Sequence, residues 1–183
     1  MTDPLEPEYD AETLREVYTD PDAVRARIVA LREEVRTAPD EVGELLARGE
    51  LVVRLRGLGE LDDALDEGRR AADRAELAGT PPQQHLARMR LADVHQWRGE
   101  FAESNLLFTE LLNAGAQFGP VIEAFTHQHA GKNDYDQGHY ADARDHFARA
   151  LGIRQRYELP DEQLAASRIA LAAAERHLQE SGS

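Results

Sequence analysis

Apolar residues recur along this chain at spacings of three and four, the period of an amphipathic helix. Val24, Ile28, Leu31 and Val35 share one face of a stretch that opens with Asp20-Pro21, an acceptor cap followed by a proline preset for the first helical turn. Beyond residue 40 the pattern repeats. Gly59-Glu60-Leu61-Asp62-Asp63-Ala64, Gly99-Glu100-Phe101-Ala102-Glu103-Ser104 and Gly138-His139-Tyr140-Ala141-Asp142-Ala143 each read glycine, any, large apolar, any, any, small, with a period of about 40 residues. Phe108 and Phe147 follow four residues after the small one, and Ala71, Leu111 and Ala150 seven after it. That spacing puts small, aromatic and small residues on one helical stripe, where the small ones let two axes approach and the aromatic fills the gap.

Upstream of each glycine runs a second amphipathic stretch: Leu51-Val52…Leu55, Leu91-Ala92…His95 and Ala130-Gly131…Asp134. The glycine falls where one helix ends and the chain turns sharply, often at positive φ. Gly79-Thr80-Pro81-Pro82, the stretch from Gly115 to Pro120, and Leu159-Pro160-Asp161 break the pattern between units. The sequence predicts helical hairpins over about 40–78, 83–116 and 121–159, a leading helix over 21–37 and a capping helix over 161–180, preceded by an acidic segment over 1–19. Leu164, Leu171, Ala174 and Leu178 are placed to cover the last hairpin.

This succession resembles the tetratricopeptide repeat family, whose units show Leu-Gly…Tyr in the first helix, Gly-x-Tyr-x-x-Ala at the turn and Phe-x-x-Ala in the second helix. The third unit, Gly138-His139-Tyr140-Ala141-Asp142-Ala143…Phe147…Ala150-Leu151, matches best, and the first is weak because Gly68 stands where the family has an aromatic. Leu55, His95 and Asp134 replace the first-helix Tyr, and the period of about 40 exceeds the usual 34 or so. The resemblance covers residues 40–159 or so. It implies an all-α fold, a right-handed superhelical array of antiparallel helical hairpins with a C-terminal capping helix, here in a long-helix variant.

Family ligands bind along the concave groove lined by the first helices. Carried onto this chain, the groove columns hold Gly49, Val53 and Arg56, then Met89, Asp93, Gln96 and Trp97, then Gln128, Lys132 and Tyr135. Ile169, Ala173 and Arg176 follow from the closing helix. Aromatics and Arg are the residue types on which binding hot spots rest. Lys132 with Arg56 and Arg176 would form a positive strip that draws a carboxylate or an acidic peptide. Packing of Trp97 and Tyr135 between hairpins is the competing reading. The paired Lys and Asn residues of the family's carboxylate clamp are missing.

Charge narrows the partners. The net charge is −14, and residues 1–22 hold Asp3, Glu6, Glu8, Asp10, Glu12, Glu16, Asp20 and Asp22 against Arg15 alone. Phosphates repel such a chain, so neither nucleic acid nor an anionic membrane is expected as partner. The acidic segment itself reads as a solvated tail, with a lid over the groove in cis as the rival reading. Without cysteine there is no disulfide, thiol nucleophile or thiolate metal site. The first residues lack a basic region followed by an apolar run, and the run Ala170–Ala174 is far too short to cross a bilayer, so a cytoplasmic protein is expected.

The histidines invite a metal reading. His139, Asp142 and His146 share a helical face at spacings of three and four, but His146 adjoins the buried stripe, and histidine on a polar helical surface is the simpler account. Asp134-x-Asp136-x-Gly138 lacks the closing Glu of a calcium loop. No nucleophile elbow, phosphate loop or dinucleotide fingerprint occurs. The expectation is therefore a protein–protein interaction module, a scaffold, adaptor or peptide sensor that binds a protein or peptide segment and uses no cofactor or metal. A self-association module forming a homodimer is the alternative, and a metal-dependent enzyme comes third.

Overall fold

The computed structural model describes residues 3–181. A short antiparallel pair comes first, β1 (Glu8–Tyr9) and β2 (Glu16–Val17), with Glu8 opposite Val17 and Tyr9 opposite Glu16. The helices are α1 (Pro21–Thr37), α2 (Glu41–Gly57), α3 (Leu61–Ala78), α4 (Pro81–Arg98), α5 (Phe101–Gly115), α6 (Pro120–Asp136), α7 (Tyr140–Arg156) and α8 (Asp161–Ser181). A 3₁₀ turn over Ala116–Phe118 follows α5.

Local chemistry sets these ends. Asp20 and Asp40 accept from the amides of Ala23 and Gly43 at 3.0 and 2.8 Å, which satisfies otherwise orphaned donors of the first turn. The three repeated glycines all adopt positive φ: Gly59 at 76°, Gly99 at 72° and Gly138 at 78°. At each, the next residue's amide reaches back to the carbonyl four residues before the glycine. These bonds are Glu60 to Leu55, Glu100 to His95 and His139 to Asp134, at 3.0, 2.9 and 2.9 Å. The sequence motif is thus one helix-terminating turn built three times.

The chain divides into two compact units. The first holds residues up to Asp10 and Arg15–Glu100, and so carries α1–α4. Each helix packs on its neighbour in order, and α2 also touches α4. Its core joins Val24, Ile28 and Leu31 of α1 to Leu51, Val52 and Leu55 of α2, with Ala64, Leu65 and Ala71 of α3 and Val94 of α4. The second unit holds Ala11–Leu14 and the chain from Phe101, with α5 on α6, α6 on α7 and α7 on α8. There the repeat stripe is literal: Ala143, Phe147 and Ala150 of α7 are all fully buried. Phe147 packs so close to α6 that a Cβ on Gly131 would stand 2.6 Å from its ring. The fold is all-α, built from helices that pack successively within each unit.

Candidate binding face

In the first unit, the expected groove residues Arg56 of α2 with Asp93 and Trp97 of α4 come together. Arg56 is 4% exposed and Asp93 2%. The guanidinium meets the Asp93 carboxylate at 3.0 Å and holds Glu16 with a second nitrogen. Burial alone would depress the Arg56 pKa, but the carboxylates of Glu16 and Asp93 outweigh it and raise it. Trp97 lies under two cations, with Arg15 at 4.8 Å and Arg56 at 5.0 Å from the ring centre. Arg15 and Glu16 belong to the N-terminal segment, so this face carries an extended stretch of the chain's own backbone. Tyr18, 6% exposed, anchors the same stretch in the core beside Arg54, whose guanidinium donates to the Tyr18 hydroxyl and the Leu5 carbonyl.

The other expected residues of this unit divide. Val53 is half-buried at the edge of a cavity, whereas Met89 and Gln96 are buried. Their burial is of the same degree as that of Arg56 and Asp93.

In the second unit, Gln128 accepts from Ser167 at 2.6 Å and from Arg154 at 3.2 Å, so it is part of a buried polar network joining α6, α7 and α8. Lys132 is buried as well. The Tyr135 hydroxyl donates to the Glu12 carbonyl at 2.8 Å, and His177 Nε2 completes its hydrogen bonding at 2.9 Å. Tyr140 stacks on the His177 ring at 4.3 Å and meets Tyr135 edge-on. Arg176 donates to the Ala11 carbonyl at 3.3 Å. Leu14, 2% exposed, holds a left-handed φ of 58°, a conformation that costs a branched residue energy and is kept only where packing demands it. Of the expected positive strip, Arg56 is neutralised where it sits by Glu16 and Asp93, while Lys132 and Arg176 belong to the second unit.

In the second unit His146, weighed from sequence with His139 and Asp142, pairs instead with His127. His127 and His146 face each other with Nδ1 atoms 2.9 Å apart, and Asp134 stands 3.6 Å from His146 Nε2. One Nδ1 must be a bare acceptor, so the two rings cannot both be protonated while this bond lasts. Burial, then the neighbouring His146 and Arg149, lower the His127 pKa to about 4, and burial lowers that of His146. The Asp134 carboxyl is pushed up to about 6, by burial and then by Asp142. Among the described residues, no group of three or more such side chains is arranged to hold a metal ion.

These shifts oppose each other. With His127 near 4 when folded and about 6.5 when unfolded, the unfolded chain binds more protons between those values, so stability falls as pH drops through that window. Asp134 acts the other way, since its folded form takes up a proton at about pH 6, before the unfolded one does. Asp134→Asn removes this offset. The thermal midpoint of the variant should therefore fall more steeply than that of the wild type between about pH 7 and 5, a difference that scans at stepped pH would read. Equal slopes would sink the assignment.

No family model matches the chain, and no curated protein does. Among solved structures it is similar to BtubC (BKLC) from P. vanneervenii, with a TM-score of 0.67 at 18% identity over 86% of this chain and 67% of that one. At that identity the likeness is one of fold and supports a helical-repeat architecture. Among the described residues, no helix is long and apolar enough to cross a membrane.

Proposed function

We propose that this protein is an interaction module of the tetratricopeptide type, a superhelical scaffold, adaptor or peptide sensor whose α2–α4 face binds an extended segment of another protein. The observation that carries this reading is the way the chain treats that face itself: Glu16 sits on Arg56, and Arg15 lies over Trp97. A partner segment presenting a cation beside a carboxylate would make the same contacts. The acidic balance of the chain disfavours nucleic acid and anionic membranes as partners, and the reading assigns it no catalytic step, cofactor or metal, and a cytoplasmic setting.

Trp97 is the sole tryptophan, which makes its fluorescence a reporter of this face alone. The full chain carrying Arg15→Ala and Glu16→Ala, titrated with a synthetic peptide of residues 8–19, should show a saturable emission change. A scrambled peptide of the same composition should show none. Equal responses to both peptides would refute the reading. A rise in mass by light scattering without peptide would put self-association in its place.

A further inference from the structure

The second unit holds a cavity of about 210 Å³ walled by α5, α6 and α7. None of its lining residues belongs to the expected groove columns, because the second helices of two hairpins wall it where they pack on α6. Asp134 of α6 stands in that wall with its side chain 21% exposed. Among the described residues no group donates a hydrogen bond to its carboxylate. The nearest ionic partner is His146 Nε2 at 3.6 Å, beyond hydrogen-bond reach. A carboxylate brings two acceptor oxygens, and taking them out of water without donors is costly.

The other polar groups of the wall are already paired. Asn133, 2% exposed, accepts from Ser104 at 2.6 Å and donates to Asn105 at 2.6 Å, while Asn105 exchanges bonds with Gln137. The Thr109 hydroxyl donates to the Asn105 carbonyl at 2.8 Å. Two cations of α7 are engaged elsewhere, Arg144 with Asp145 and Arg149 with Glu123. Burial lowers the His146 pKa, so at neutral pH that ring offers a dipole and not a charge. Burial and then Asp142 of α7 push the Asp134 carboxyl up to about 6, with only His139 opposing them. That is how a carboxylate behaves when no full positive charge faces it.

We propose that this pocket receives an arginine side chain of a partner protein, with the guanidinium on the Asp134 carboxylate and the methylene stem against Phe108 and Leu112. The planar fork offers two parallel donors to the two oxygens, which a point-charge ammonium does not. The cavity is smaller than the about 300 Å³ at which sites for whole small molecules begin, and it suits one long side chain. Among the described residues no group of three or more histidine or carboxylate side chains is arranged to hold a metal ion, so the cation that fits here is organic. The chain's net charge of −14 steers basic partners toward it. The site does not rest on the α2–α4 reading, since its residues belong to the other unit.

The test titrates the full chain with N-acetyl-arginine N-methylamide, its uncharged citrulline isostere and the lysine analogue, followed by NMR at the side-chain amides of Asn105 and Asn133. The arginine probe should shift these amides saturably. The citrulline probe should bind about tenfold more weakly or worse, as expected for loss of a charge-assisted pair, with the lysine probe between them. Asp134→Asn keeps the shape of the side chain and should lose the arginine probe by a similar factor. Thr109→Arg brings a guanidinium to the pocket from an exposed position of α5, and should block the probe while the carboxylate stays intact. That variant keeps the proposal open to refutation even if Asp134→Asn perturbs the fold. No saturable shift, equal binding of the arginine and citrulline probes, or undiminished binding in either variant would each overturn it. Equal binding of the arginine and lysine probes would mean attraction to net charge alone. Tighter binding of free n-butylguanidinium than of the capped arginine would assign the pocket to a small molecule, and either result would overturn the proposal as well. Trp97 emission, which reads the α2–α4 face, separates failure here from failure of the proposed function.

Discussion

Arg56→Ala should destabilise the protein by about 3–5 kcal/mol, the usual cost of removing one partner from a buried ion pair. The guanidinium stands between Glu16 and Asp93, and Asp93 is enclosed. Without the cation, that carboxylate is left charged and desolvated, or it takes up a proton at the expense of folding. Urea denaturation followed by circular dichroism would read the loss as a lower midpoint at unchanged slope. Pairing Arg56→Met with Asp93→Leu should recover most of it, because hydrophobic replacement of a whole buried pair is often close to neutral. A loss below about 1 kcal/mol for Arg56→Ala, the range of exposed surface pairs, would mean that the pair is solvated and the face open.

Phe147→Ala in the second unit should cost a similar amount, about 3–5 kcal/mol, because the ring is fully buried and α6 is too close-packed to collapse into the space. The reciprocal change is informative. Gly131→Ala pushes a methyl into the ring, and overpacking of this kind costs about 1–3 kcal/mol, offset by about 1 kcal/mol of helix propensity. Combined with Phe147→Leu, which vacates that space, Gly131→Ala should be tolerated better than alone. Such non-additivity is the mark of two groups in contact, and denaturation of the four chains in a double-mutant cycle would measure it.

The helices and their order were legible because the signal is short-ranged and repeated. A glycine at positive φ, a small residue three or four positions along a stripe, and an aromatic between small ones each state a local packing requirement, and Phe147 against Gly131 shows it met. The proposed face was legible in part. Column arithmetic brought Arg56, Asp93 and Trp97 together; it also selected Met89, Gln96, Gln128 and Lys132, which are buried as Arg56 and Asp93 are. A helical column says which direction a side chain points and not what lies there.

For the N-terminal segment the sequence favoured a solvated tail over a lid in cis, for a different reason. Its carboxylates dominate the composition, while its two anchors, Leu14 and Tyr18, show no periodicity because strands of two residues have none to show. The His127–His146 contact joins two helices at a separation of 19 residues and leaves no mark in either alone.

The seating of that N-terminal segment also bears on how the chain is made. Ala11 and Glu12 are held by residues 165 and 123 positions downstream, and Arg56, which receives Glu16, follows it by 40. Synthesis delivers the segment well before its acceptors. Successive helices can close on their neighbours as they leave the ribosome, through contacts of short sequence separation, but residues 3–18 must wait for helices not yet translated. Until then Leu14 and Tyr18 remain in water, and eight carboxylates in the first 22 residues keep that waiting stretch from sticking to its surroundings. The acidity read as a solvent-facing tail suits the nascent chain; the apolar anchors within it serve the finished one.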